Sequence, residues 1–286
     1  MLSHAFIISA HKNFSQIKTL IESLSFGDIY LHIDKKSEKL FLELKEHYKF
    51  SKNVFLIENR ISVNWSGFSQ VQATLNLLRG VKKSKKKYDY IHFLSGQDLL
   101  LMSQNMLDKY LCSNGLDKLY LEVKPIGSLW WRLKCYSLFR ENPKNRKIRY
   151  RVIDNLIRLV QLPFIRRHNF DGYELYVGSS WFSITMDCLE YILEVCNETF
   201  LDRFKFTACS DEHFFQILLM NSKFKNNVLR FNSRYIIFDG LNASPRVLTM
   251  NEKDDFLNGK YIFARKFDSN IDDEVIKYIL ERNGGK

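Results

Sequence analysis

The feature that most constrains this chain is the alternation of short apolar runs with helix-spaced apolar patterns in its first half. Ala5 to Ser9 (AFIIS) has the length and character of a strand. Ile29 to Ile33 (IYLHI), Val54 to Ile57, Tyr88 to Leu94 and Leu119 to Val123 repeat it. After the first run, Asn13 precedes Phe14, Ile17, Leu20, Ile21 and Leu24 at three- and four-residue spacing, and Gly27 closes the pattern. Side chains so spaced share one face of a helix. Ser69 to Leu78 reads as a further helix. Strands and helices alternating at intervals of about 10–15 residues predict an α/β fold with a largely parallel sheet, because parallel neighbours are joined by crossovers.

In such a sheet, ligands bind beyond the carboxyl ends of the strands. Asp34-Lys35-Lys36 and Ser95-Gly96-Gln97-Asp98 sit at two such ends and are candidate sites by position, with an ordinary turn as the alternative. Charge adds a second hint. With 43 basic and 32 acidic residues, the net charge of +11 suits an anionic partner, although solubility alone would also account for it. The five cysteines include no C-x-x-C pair and suggest reduced thiols in a reducing compartment. No apolar run approaches the roughly 18 residues of a membrane span.

The middle of the chain differs. The stretch from Arg140 to Arg167 carries, between these two, Lys144, Arg146, Lys147, Arg149, Arg151, Arg158 and Arg166, around Ile148, Val152, Leu156, Leu159 and Val160. This is a basic amphipathic helix ending near Pro163. It reads either as a surface helix with a solvated basic face and a packed apolar stripe, or as an element that meets anionic lipid. Beyond it, Leu175 to Ile184 alternates, Cys188 to Cys196 is helical, and Ser210 reads as the N-cap of a helix that begins with Asp211 and Glu212. Val228 to Phe231 and Tyr235 to Phe238 read as strands, and Ile271 to Leu280 as a final helix.

Common catalytic machines are absent. The chain has no G-x-x-x-x-G-K-[ST] loop, no G-x-G-x-x-G after the first strand, no H-E-x-x-H and no G-x-S-x-G. No nucleic-acid module is visible, and nucleic acid is not an expected partner. Seven segments in order do resemble a known family: AFIISAHKNFSQIKTLIESL, IYLHIDKKS, VNWSGFSQVQATLNLL, YDYIHFLSGQDLLL, GSSWFSITMDCLEYIL, SDEHFFQILLMNS and NASPRVLTMNEKDDFLNGKYIFARKFD. They resemble the core-2/I-branching β-1,6-N-acetylglucosaminyltransferases, a group that also contains the peptide O-xylosyltransferases. Residues 124 to 170, where acceptor specificity would be expected to differ, carry none of the seven.

The resemblance implies a GT-A-like fold, a Rossmann-like mixed sheet flanked by helices. Residues 1–286 would form one catalytic domain, with about 1–123 binding the nucleotide-sugar and about 124–286 the acceptor. It implies an inverting transfer from a UDP-sugar, first N-acetylglucosamine and second xylose, to a saccharide hydroxyl. It also implies metal independence, with Arg246 and Lys266 replacing the divalent ion at the diphosphate and Arg265 as a neighbouring cation. Ser95-Gly96-Gln97-Asp98 offers one acid and no Asp-x-Asp, and a single carboxylate is a poor Mg²⁺ or Mn²⁺ site. The family's catalytic carboxylate falls on Glu212, with Asp211 beside it to assist at the acceptor or to cap.

Donor recognition is expected from His11, Asp34, Ser95 and Asp98, at the ends of strands in the first half. Trp65 and Trp181 are candidate platforms for sugar rings, with core burial as the alternative. The family's eukaryotic members carry Golgi anchors and stems, and this chain starts at the catalytic pattern. The expectation is therefore a bacterial cytoplasmic enzyme of surface-polysaccharide or lipopolysaccharide synthesis, peripheral to the membrane where a lipid-linked acceptor lies. The rival of another class is a non-catalytic basic module for nucleic acid or anionic lipid.

Overall fold

The computed structural model describes residues 1–163, 167–240 and 244–284. Its strands are β1 (His4–Ala10), β2 (Asp28–Ile33), β3 (Val54–Leu56), β4 (Tyr90–Ser95), β5 (Asp98–Leu100), β6 (Tyr120–Leu121), β7 (Lys124–Pro125), β8 (Tyr176–Val177), β9 (Phe182–Ile184), β10 (Arg234–Ile236) and β11 (Phe263–Arg265). Its helices are α1 (Phe14–Ser23), α2 (Glu38–His47), α3 (Ser69–Lys83), α4 (Gln104–Asn114), α5 (Trp131–Lys134), α6 (Ile148–Gln161), α7 (Met186–Val195), α8 (Glu198–Asp202), α9 (Phe214–Met220), α10 (Lys253–Phe256) and α11 (Glu274–Gly284).

The main sheet runs β3-β2-β1-β4-β9-β6. The first four strands are parallel, as the alternating pattern predicts, but β9 pairs antiparallel with both β4 and β6. The sheet is therefore mixed. A smaller sheet, β10-β11-β5, packs beside it. Period-two burial makes β1 a central strand: Ala5 and Ile7 enter the core under α3, α7 and α9, while Phe6, Ile8 and Ala10 enter the core under α1, α4 and α11. Helices thus cover both faces, and the fold is the GT-A-like α/β arrangement.

The Asn13 side chain caps α1 by accepting from the Gln16 N–H at 3.1 Å. Helices α2 and α4 escaped the sequence reading because each buries only two side chains, which leaves a weak apolar period. Arg234 explains one misplaced strand. Its guanidinium is fully buried and donates to the carbonyls of Phe182 at 2.6 Å and Phe93 at 3.3 Å, stapling β10 across β4 and β9. The ladder therefore starts at Arg234 rather than Tyr235. Val228 forms only an isolated bridge with Leu119.

The segment from Arg140 departs from the packed-stripe expectation. Helix α6 turns Asp154 and Gln161 inward and leaves Ile148, Val152, Leu156, Leu159 and Val160 exposed. Arg166, residues 241–243 and the Arg151 side chain lie outside the described parts.

Candidate active site

From β1 the sheet grows to β2 and β3 on one side and then crosses to β4 on the other, and a cleft opens at the carboxyl ends of these strands where the order switches. It has a volume of about 280 Å³. His11 and Lys12 follow β1 into it, Asp34 follows β2, and Ser95 ends β4. Arg265 and Lys266 enter from the end of β11, and Arg146 from the approach to α6. Lys12, Arg146, Arg265 and Lys266 give the cleft four cations against two acids, Asp34 and Asp211.

The cations are held differently. Each of the two tryptophans carries a guanidinium over its ring: Arg265 lies 4.0 Å from the Trp181 centroid and Arg146 lies 5.4 Å from that of Trp65. Both indoles line the cleft, and both help to fix its positive charge. Arg265 also pairs with Asp98 at 3.3 Å. Lys12 pairs with Asp268 at 3.1 Å. Burial, helped by the charges of Lys12 and Arg265, holds the Lys266 ammonium below its ordinary range. Like charges gathered in a partly buried cleft favour an anionic ligand.

A second cavity of about 820 Å³ shares Trp65, Trp181, Asp211, Pro245 and Arg265 with the first. Glu212 opens into this second cavity, with its side chain 40% exposed. Asp211 and Glu212 lie on a one-turn 3₁₀ helix, Ser210–Glu212, just before α9. Cys209, at φ 52°, turns the chain into it. Ser210 is not the N-cap that its sequence position suggests. Its hydroxyl is buried and turned to that of Thr207 at 2.7 Å, and the residue lies within the 3₁₀ turn, with Cys209 before it at the cap position.

Among the described residues no backbone amide donates to the Glu212 carboxylate either. Arg132 on α5 reaches it, Nη1 to Oε2, at 2.5 Å. The Glu212 carbonyl accepts from the Gly178 N–H at 2.9 Å. Gly178 is required there, since a Cβ would fall 1.8 Å from the Glu122 carbonyl oxygen. The Ser180 hydroxyl donates to Asp211 at 2.7 Å. Burial, reinforced by the Glu212 charge, pushes the Asp211 carboxyl up to about 6.

His11, Asp34, Ser95, Trp65, Trp181, Asp211, Arg265 and Lys266 therefore meet at the first cleft, and Glu212 stands at the adjoining cavity. Two expected donor contacts lie elsewhere. Asp98 is 1% exposed and does not line the cleft; it accepts from the Ser95 N–H at 3.0 Å and its hydroxyl at 2.5 Å, besides pairing with Arg265. Its place opposite Arg265 in the β5–β11 ladder commits it to internal bonds. Arg246 lines neither cavity, and its side chain turns to Glu252 at 3.3 Å and Asp239 at 3.8 Å. Lys12, Arg132 and Ser180 were not singled out by the sequence. Lys12 was legible, one residue beyond His11 at the end of a strand; Arg132 and Ser180 reach the site only through tertiary packing.

Comparison with known proteins agrees with this architecture. The family model described as "Core-2/I-Branching enzyme" matches residues 4–255. The chain is 24% identical over 303 residues to xylosyltransferase sqv-6 of Caenorhabditis briggsae, covering 93% of this chain and 35% of that protein. It is 25% identical over 304 residues to a β-1,3-galactosyl-O-glycosyl-glycoprotein β-1,6-N-acetylglucosaminyltransferase 4 of Danio rerio, covering 97% of this chain and 69% of that one. It is also 25% identical over 220 residues to the human N-acetyllactosaminide β-1,6-N-acetylglucosaminyl-transferase, covering 75% and 52%. The chain spans about a third of the length of the xylosyltransferases it matches. With the family model covering most of its length and the sheet and cleft arranged as described, this chain belongs to the Core-2/I-branching enzyme family.

Proposed function

We propose that this chain is an inverting, metal-independent glycosyltransferase that moves a sugar from a UDP-sugar to a saccharide hydroxyl. The observation that carries the reading is a cation-lined cleft sharing a wall with a larger cavity into which a positioned carboxylate opens. In the proposed reaction the acceptor oxygen bonds to the anomeric carbon as the bond from that carbon to the β-phosphate oxygen breaks. Glu212 takes the hydroxyl proton on the face opposite the leaving group, which inverts the centre. UDP departs with added negative charge on its β-phosphate. Lys266 and Arg265, with Lys12 and Arg146, stabilise that charge without a divalent ion. His11, Asp34 and Ser95 face the nucleoside end.

N-acetylglucosamine is the first donor and xylose the second, since relatives named for both transfers match this chain. Synthesis of a bacterial surface polysaccharide in the cytoplasm is the proposed setting. It is supported by five free thiols, three of them buried, which suit a reducing compartment. The test is a screen of UDP-sugars against saccharide acceptors in excess EDTA, read by UDP release and product linkage. A β-linked product from one UDP-sugar is expected. UDP release that appears only with added Mn²⁺ overturns the metal-free part. No UDP affinity and no transfer with any donor overturns the whole reading.

A further inference from the structure

Helix α6 is amphipathic with its apolar side outward. At about 100° per residue, Ile148, Leu159, Val152, Leu156, Val160 and Ile153 fall in that order within an arc of about 140°. Ile148 is 79% exposed, Leu156 57%, Leu159 56% and Val160 69%. The opposite side is fastened to the protein by polar bonds. Asp154, 6% exposed, pairs with Arg140 at 2.8 Å. The Gln161 amide exchanges two bonds with the Tyr136 backbone, accepting at 2.7 Å and donating at 3.0 Å. A surface helix of a water-soluble domain ordinarily does the reverse, so the exposed stripe is built to meet something apolar.

The charge around the stripe says what. Lys144, Arg146, Lys147 and Arg149 are exposed at its amino-terminal end. The one acid between residues 144 and 160 is Asp154, which is buried and neutralised. An apolar layer beneath anionic headgroups matches both the stripe and its rim. We propose that α6 lies in the headgroup region of an anionic phospholipid membrane and anchors the protein there reversibly.

The helix adjoins the cleft. Asn145, three residues before it, donates to the Trp65 carbonyl at 2.7 Å, and Arg146 lines the cleft itself. A docked α6 therefore brings the cavity mouth to the lipid surface. That consequence for an acceptor rests on the transferase reading, whereas vesicle binding does not.

Sedimentation with vesicles tests the proposal. Wild-type protein is expected to pellet with phosphatidylglycerol-rich vesicles, not with pure phosphatidylcholine, and to be released by high salt. The double variant Leu156→Gln/Leu159→Gln should lose binding while keeping its melting temperature and UDP affinity. Lys147→Ala/Arg149→Ala should lower partition roughly 25-fold, at about fivefold per basic side chain near an anionic leaflet. Absence of wild-type binding, or equal binding by wild type and the Leu variant, overturns the proposal. So does a dimer in sedimentation velocity that the Leu substitutions abolish, since a second copy then covers the stripe.

Discussion

Nη1 of Arg132 lies 2.5 Å from Oε2 of Glu212, joining residues 80 positions apart. The contact is anchored at both ends. The Arg132 carbonyl accepts from the Ala208 N–H at 2.9 Å, and the Glu212 carbonyl accepts from Gly178. Arg132 is thus a positioning residue for the proposed base: it fixes where the carboxylate points while leaving it open to the larger cavity. Arg132→Ala is expected to lower turnover by roughly 10–100-fold through misplacement of the carboxylate. Arg132→Lys should restore only part of it, because an ammonium lacks the planar fork. UDP affinity should stay near wild type in both. Equal turnover of the Ala and Lys variants would reduce Arg132 to packing.

Glu212→Gln preserves size and most hydrogen bonding but removes the proton acceptor. Turnover should fall by roughly 10²–10⁴-fold, the usual contribution of a positioned base, with little change in UDP binding. Near-normal turnover in this variant would assign Glu212 a structural role.

Lys266 bears on the diphosphate. Lys266→Ala removes one charge-assisted contact, worth about 1.5–3 kcal/mol, and should weaken UDP roughly 10–100-fold in calorimetry with EDTA present. Arg246→Ala should change UDP affinity little, because its guanidinium turns to Glu252 and Asp239 outside the cleft. The opposite ranking would mean that the loop bearing Arg246 closes over the nucleotide.

Asp211 has a folded pKa of about 6, above the ordinary value near 4 that it regains on unfolding. Between these values the native state holds the extra proton, so this group makes stability fall as pH rises from about 4 to about 6. Asp211→Asn should therefore raise the melting temperature at pH 7.5, and the gain should fade below about pH 4. If the ionised carboxylate binds the acceptor, the same variant raises the acceptor KM. A melting temperature lower than wild type at pH 7.5 would contradict this account of the burial.

Legibility in the sequence followed the physics of each element. Strands β1, β2 and β4 are buried on both faces, so their apolar runs are continuous and sit within a residue or two of the positions read. The cleft residues at their ends were legible for the same reason: position alone places His11, Asp34 and Ser95. Glu212 and Lys266 needed the resemblance, since an acid before a helix and a lysine after a strand are common. What no local pattern could carry was partnership. Asp98 looks like an exposed turn acid until β11 arrives opposite it. Ser210 looks like a cap until Cys209 takes the cap position before it. The α6 stripe has the right period for a helix, but periodicity does not say which side faces the protein.

The pairing of β11 with β5 also sets a schedule. Arg265 bonds Ser95 across 170 positions of chain. At about 5–20 residues per second, a ribosome needs roughly 10–30 s to travel that far. Throughout that interval the growing chain already holds the nucleoside-facing loops after β1, β2 and β4, and Asp98 waits without its cation. Two of the four cleft cations, Arg265 and Lys266, arrive only when the last strand adds to the small sheet. A chain truncated just before Arg265 would keep the parallel strands and lose the Arg265–Lys266 corner.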